Sequence, residues 1–194
     1  ECIGLHPHDA RLYQEAFDGL AILASKPKIV AIGEGGLDYF YNHSSKEDQI
    51  RALEFQMQLA KDHNLPMIFH VRDAFDDFWP VFDRFGPLRG VIHSFTATNV
   101  ELEQALSRGL YIGLNGIMTF TKDEKQLEAA KSVPLERLVL ETDAPFLTPV
   151  PVRGTVNEPK NVVLTAEFLS SLRNESLSYI AEATTQNAQN LFGI

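Results

Sequence analysis

The chain has 194 residues, with 17 Lys and Arg against 26 Asp and Glu, for a formal net charge of −9. Hydrophobic residues make up 44%, too many for a disordered chain, and the single cysteine, Cys2, excludes a disulfide framework and a Cys-based zinc module. The acidic balance argues against holding nucleic acid on a broad basic surface, but not against reaching phosphates through bound metal ions.

In chain order, short apolar runs alternate with helical periodicity, which predicts an α/β fold on a largely parallel sheet, organised as one domain over residues 1–194. Strands are predicted over 2–5, 28–33, 66–69, 90–92, 110–114 and 137–140. Their near-continuous apolar character, as in Ile29-Val30-Ala31-Ile32, suits strands covered on both faces. Ile50, Leu53, Met57 and Ala60 recur at helical spacing, with Ser44 and Glu47 as a capping box ahead of them. A helix carrying Phe75, Phe78, Trp79 and Phe82 is interrupted by Pro80. A helix over 100–108 has Thr98 or Asn99 as N-cap and Gly109 just past its end. Further helices are predicted over 122–133, 161–173 and 177–192. An eight-stranded βα barrel takes about 250 residues. The expected fold is therefore a TIM (β/α)8-type barrel with about six of its eight βα units present, opening on a strand as though its start were missing. The uncovered sheet edges of such a chain would favour self-association. No apolar run approaches the ~18 residues of a membrane span and no signal segment is visible, so no membrane association and a cytoplasmic location are expected.

Four predicted strands run into a residue that can bind metal: Glu34 after Lys28–Gly33, His70 after Pro66–Phe69, His93 after Gly90–Ile92, and Asp143 after the 137–140 strand. In βα barrels the C-terminal strand ends converge on one rim, where active sites are built. Two imidazoles and two carboxylates there form a site for a divalent ion such as Zn²⁺, Mg²⁺ or Mn²⁺, one or two per site. Singly, each has a plainer reading, the histidines as surface or core residues and the carboxylates as helix N-caps. The shared strand-end position of all four is what favours the metal. His6 is read as a group beside the metal or at a phosphate, His8 as a loop residue, and His43 and His63 as solvent-facing. Arg72 has the fork that suits a phosphate, or else pairs with Asp73, Asp76 or Asp77. Asp38 could orient a loop or a ligand. Arg153, Asn157 and Glu158 lie in a Pro-rich loop after the last strand, either reaching the site or serving as a rigid connection. No side-chain nucleophile stands out. Ser94 beside His93 is the one pair available, and adjacent strand residues point to opposite faces.

The segments Gly4-Leu5-His6-Pro7-His8, Gly33-Glu34-Gly35-Gly36-Leu37-Asp38-Tyr39, Phe69-His70-Val71-Arg72, His93-Ser94-Phe95-Thr96, Glu141-Thr142-Asp143-Ala144-Pro145 and Asn157-Glu158-Pro159 together resemble the TatD family of metal-dependent deoxyribonucleases, in family order over nearly the whole chain. The resemblance implies a hydrolase that cleaves DNA phosphodiester bonds, possibly as an exonuclease, through a metal-activated water. It implies Glu34 as the carboxylate shared by the metals and His70 and His93 as ligands. Asp143 would be both a ligand and the base that orients the attacking water, with His6 and Arg72 near the scissile phosphate. The family's usual H-x-H segment, helix and second strand are not in this sequence. Ala97 and Val156 stand where the family often has Gly and Arg. The alternatives are a metal-dependent amidohydrolase acting on a small amide, ester or lactone, and a shortened, non-catalytic chain that keeps the motifs.

Overall fold

The computed structural model describes residues 1–41 and 43–194. They form two compact units, one of Glu1–His93 with Leu191–Ile194, the other of Ser94–Asn190.

In the first unit the order is β1 (Cys2–Ile3), a tight helical turn over Pro7–Leu12, α1 (Tyr13–Ala24), β2 (Ala31–Asp38), α2 (Lys46–Asp62), β3 (Met67–Arg72), α3 (Phe75–Phe85) and β4 (Gly90–Ile92). Its four strands pair in parallel, in the order β1-β2-β3-β4. Ile32, Leu37, Met67, Phe69 and Ile92 are fully buried in it, as are Leu53 and Met57 of α2. Phe69 packs edge-on against Phe78 and Phe82 of α3, with ring centroids 5.3 and 5.6 Å apart. Pro80 sits inside α3 and does not end it.

Two boundaries differ from expectation in a way that matters for the site. The 28–33 strand begins later and runs on to Asp38, and the 66–69 strand runs on to Arg72. Glu34 and His70 therefore lie within strands, not just past them. Gly33, Gly35 and Gly36 in β2, and the polar His70 and Arg72 in β3, interrupt the apolar runs and mask this continuation in the sequence. The β2–β3 register slips by one residue between Ile32 and Gly35, a bulge that holds Gly33 and Glu34. Gly36 is paired with His70, and a Cβ there would lie 1.8 Å from the His70 carbonyl oxygen. Only glycine lets the two strands close at this point.

The second unit runs α4 (Asn99–Ser107), β5 (Tyr111–Leu114), α5 (Glu124–Ser132), β6 (Leu138–Leu140), α6 (Val162–Arg173) and α7 (Leu177–Phe192), whose last residues belong to the first unit. Strands β5 and β6 are parallel, with Ile112 opposite Leu138 and Leu114 opposite Leu140. Thr98 and Glu101 form the capping box of α4, and Gly109 follows it at φ +77°. Asn187 of α7 donates to the carbonyls of Leu135 and Leu138, satisfying the buried start of β6. Arg173 donates to the carbonyls of Ala130, Lys131 and Val133, closing the end of α5. Among the described residues, no helix is long and apolar enough to cross a membrane.

Candidate metal centre

The C-terminal ends of the first unit's strands bring His6, His8, Glu34, Asp38, His70 and His93 together. One oxygen, Glu34 Oε1, is the focus. His70 Nδ1 lies 2.6 Å from it, His93 Nε2 3.4 Å and His6 Nε2 3.5 Å. Burial alone would raise the Glu34 carboxyl. Hydrogen bonds from His6 and His70, with the charges of His93 and His70, outweigh it and hold the group well below the usual carboxylate range.

Asp38, 1% exposed, forms a second layer. Its Oδ2 meets His70 Nε2 at 2.9 Å and His8 Nε2 at 3.1 Å, while its Oδ1 accepts from the backbone amides of Phe40 and Tyr41, each at 3.0 Å. Burial would raise its carboxyl too, but the Tyr41 amide and the His70 and His8 rings outweigh that and hold it below its ordinary value. An ionised Asp38 can only accept, so His70 Nε2 is the donor there, and Nδ1, hydrogen-bonded to Glu34 in the metal-free protein, is the nitrogen left to hold a metal. His8, read from the sequence as a loop residue, is part of this layer. Its ring lies 4.3 Å from His6 and 4.7 Å from the exposed ring of His43.

Two glutamines of α2, which sequence reasoning missed, set the positions of these strand ends. Gln56 is fully buried; its Oε1 accepts from Leu5 N at 2.8 Å and its Nε2 donates to Leu5 O at 3.0 Å. Gln49 treats Asp38 the same way, accepting from its amide at 2.7 Å and donating to its carbonyl at 3.1 Å. Each side-chain amide thus mimics one rung of a β-ladder, just before His6 and at Asp38. Seven residues separate them, so both lie on one helical face, with Leu53 between. Two polar residues on that apolar stripe were the available signal. Ser45, not Ser44, caps α2. Ser44 instead donates to the His8 carbonyl and accepts from the Arg11 amide, which ties down the His6–His8 segment.

His6, Glu34 and His70 each offer a ligand atom, all within 4.8 Å of one another. Imidazole nitrogen and carboxylate oxygen are donors that zinc and manganese accept, so the residues present fit a divalent ion. His6 has a second property. Its Nδ1 accepts the His8 amide at 3.2 Å, so in the metal-free protein its Nε2 is a donor towards Glu34 and would have to give up that proton to hold a metal.

Arg72 forms no ion pair among the described residues. Its guanidinium lies over the Phe40 ring at 3.9 Å and within 5.0 Å of Tyr41, while Asp77 approaches Lys46 at 3.9 Å. The alternative expectation of a pair with Asp73, Asp76 or Asp77 therefore does not hold.

The remaining expected residues lie in the second unit. Asp143 follows β6 by three residues at φ +57°. Buried Asn157 donates to the carbonyls of Thr142 and Phe146 on either side of it, at 2.7 and 2.6 Å. Glu141 Oε1 accepts from the Ser94 amide at 2.6 Å, and Ser94 Oγ accepts from Asn115. That hydroxyl anchors the Asn115 side chain. Arg153 stacks on Phe120 at 3.7 Å and donates to Thr148 O, and Glu158 pairs with Lys160. Within this unit, Arg153, Asn157 and Glu158 brace their own loop.

The family model described as TatD related DNase matches residues 1–193. The chain is similar to the metal-dependent hydrolase YabD of Bacillus subtilis, at 39% identity over 99% of this chain and 76% of the relative. It is 37% identical to the 3'-5' ssDNA/RNA exonuclease TatD of Escherichia coli, over 98% of this chain and 76% of that protein. Among solved structures it resembles a TatD family hydrolase from Entamoeba histolytica, with a TM-score of 0.88 and 28% identity over 98% of this chain and 73% of the other. The fold is accordingly of the TIM (β/α)8 type, of which the described residues form six strands. The chain belongs to the TatD-related DNase family of metal-dependent hydrolases.

Proposed function

We propose that the protein hydrolyses phosphodiester bonds of single-stranded nucleic acid, holding divalent metal with Glu34, His70, His93 and Asp143. The observation that carries the reading is the convergence of three imidazoles on the one carboxylate oxygen Glu34 Oε1, in a chain of this family. The E. coli relative named as an ssDNA/RNA exonuclease supports the substrate class. The assignment of Asp143 rests on the Glu141-Thr142-Asp143-Ala144-Pro145 motif.

A divalent ion held there supplies a water of lowered pKa and positive charge for the phosphate oxygens. The rest is the work of the chain's own groups. Asp38 fixes the His70 ring so that Nδ1 faces Glu34. His6 presents its Nε2–H as a donor to a phosphate oxygen. The in-plane N–H groups of Arg72 remain available to a phosphate, because stacking on Phe40 uses only the flat face of the guanidinium. Asp143 accepts the proton of the attacking water, so no covalent enzyme intermediate is needed.

The test is a substrate panel with Mg²⁺, Mn²⁺ or Zn²⁺, comparing single-stranded DNA, single-stranded RNA, and small esters and lactones, with metal content measured after dialysis. Metal-dependent release of nucleotides, with slower turnover of the small esters, is the expected result. Turnover of small esters without cleavage of either strand would instead assign an amidohydrolase-type activity.

A further inference from the structure

Beside the metal cluster lies a surface that the hydrolytic reading does not use. Phe40 and Tyr41 follow directly on β2 and are 53% and 41% exposed. Large aromatic rings left in water at a strand end beside a cluster of ligands are costly unless something covers them. Their position is fixed by the site itself. The carboxylate that accepts the Phe40 and Tyr41 amides also holds His70 and His8. The rings stand edge to face, with centroids 4.8 Å apart, and Tyr41 also packs against His8 at 5.2 Å and parallel to His43 at 5.7 Å. Arg72 closes the group, its guanidinium over Phe40. The Tyr39 amide donates to the Arg72 carbonyl at 2.9 Å, so the ends of β2 and β3 are locked side by side.

We propose that Phe40, Tyr41 and Arg72 form a stacking shelf that takes a nucleobase of the strand whose phosphate lies at the Glu34–His70 cluster; the proposal rests on the nuclease reading above. A base stacks on an aromatic face or on a guanidinium plane whatever its identity, which suits an enzyme that degrades strands without regard to sequence. The chain's charge points the same way. With a net charge of −9 it gains little from counterion release, so affinity for a polyanion has to come from the metal and from contacts to the bases. Arg72 serves both ends of one nucleotide, its flat face in the shelf and its edge towards the phosphate.

The experiment compares steady-state hydrolysis of a short DNA strand with that of a strand of equal length carrying abasic residues at the cleaved end. The unchanged protein is expected to show a KM about 5- to 150-fold lower for the strand with bases, the range that stacking of one base provides. Phe40→Ala combined with Tyr41→Ala is expected to abolish that preference, the rise in KM falling on the strand with bases far more than on the abasic strand. Phe40→Trp, which keeps a stacking face, is expected to retain it. Both side chains are exposed, so these changes leave the core intact. A preference that survives the double substitution overturns the shelf, and so does an equal loss on both strands. If the unchanged protein cleaves neither strand, the nuclease reading fails. Competition binding of the same two strands then tests the shelf by the same ratio, and equal binding overturns it.

Discussion

Asp38→Asn changes one atom and should disarm the metal site. The new side chain can still accept the Phe40 and Tyr41 amides through Oδ1, which now meet the carboxylate at 3.0 Å each. That choice turns Nδ2, a donor, towards His70 Nε2, now 2.9 Å from Oδ2. To receive it, His70 Nε2 must give up its proton, which leaves the ring's proton on Nδ1, the nitrogen that faces Glu34 at 2.6 Å. A protonated Nδ1 cannot donate a lone pair to metal. Partners that orient a ligating histidine are worth about 10- to 100-fold in metal affinity, or roughly 1.4 to 2.7 kcal/mol. The loss should fall in that range for Zn²⁺ or Mn²⁺ measured by calorimetry. Nitrogen NMR of the imidazoles should show the His70 proton lost from Nε2 and kept on Nδ1. Glu34, the Phe40–Tyr41 backbone and the core are untouched, so the fold should persist by circular dichroism. Metal affinity within twofold of the unchanged protein, with the variant folded, would refute the claim that Asp38 selects the liganding nitrogen.

Replacing Gln56 with Leu leaves the amide and carbonyl of Leu5 unpaired behind the site. At about 1–3 kcal/mol for each unsatisfied buried group, the melting temperature should fall by several degrees, and an unchanged melting curve would mean that the helix does not hold β1's end. Arg72→Ala should raise KM for a DNA strand more than it lowers kcat, since its contacts are made equally in the ground and transition states, and unchanged kinetics would remove it from the site. Glu34 and Asp38 are both held below their ordinary values of 4.5 and 3.8, so the metal-free protein binds fewer protons folded than unfolded in that region. Their contribution to stability should be complete above about pH 5 and lost as the pH falls through 4 and below. Acid titrations followed by circular dichroism should show this limb weakened in Asp38→Asn.

The strands and most of the helices were legible because they are bounded apolar runs and periodic stripes, although α1 (Tyr13–Ala24) was not among the helices read from the sequence, and Glu34 and His70 lie within strands rather than just past them. What the sequence hid were features made by contacts distant in the chain. β2 runs past Glu34 because Gly33 and Gly36 allow β3 to approach, an arrangement that alternation and propensity do not reveal. Gln49 and Gln56 looked like ordinary polar interruptions of a helix until their partners, 11 and 51 residues away, came into view. Asp38 and His8 gained roles for the same reason: their charge and ring positions matter only once β1, β2 and β3 lie side by side. Arg72 illustrates the opposite case. Asp73, Asp76 and Asp77 offered it partners in the sequence, and only the strand register decides that it lies over Phe40 rather than against an aspartate.

The most direct test of the account is Glu34→Gln, assayed for bound divalent metal and for turnover of a short single-stranded DNA. The glutamine keeps the shape of the side chain but not the charge on which the three imidazoles converge. Bound metal should fall, and turnover should drop by orders of magnitude, with only partial recovery at high added metal. A Glu34→Gln protein that retains its metal and cleaves the strand at the rate of the unchanged protein would contradict the account.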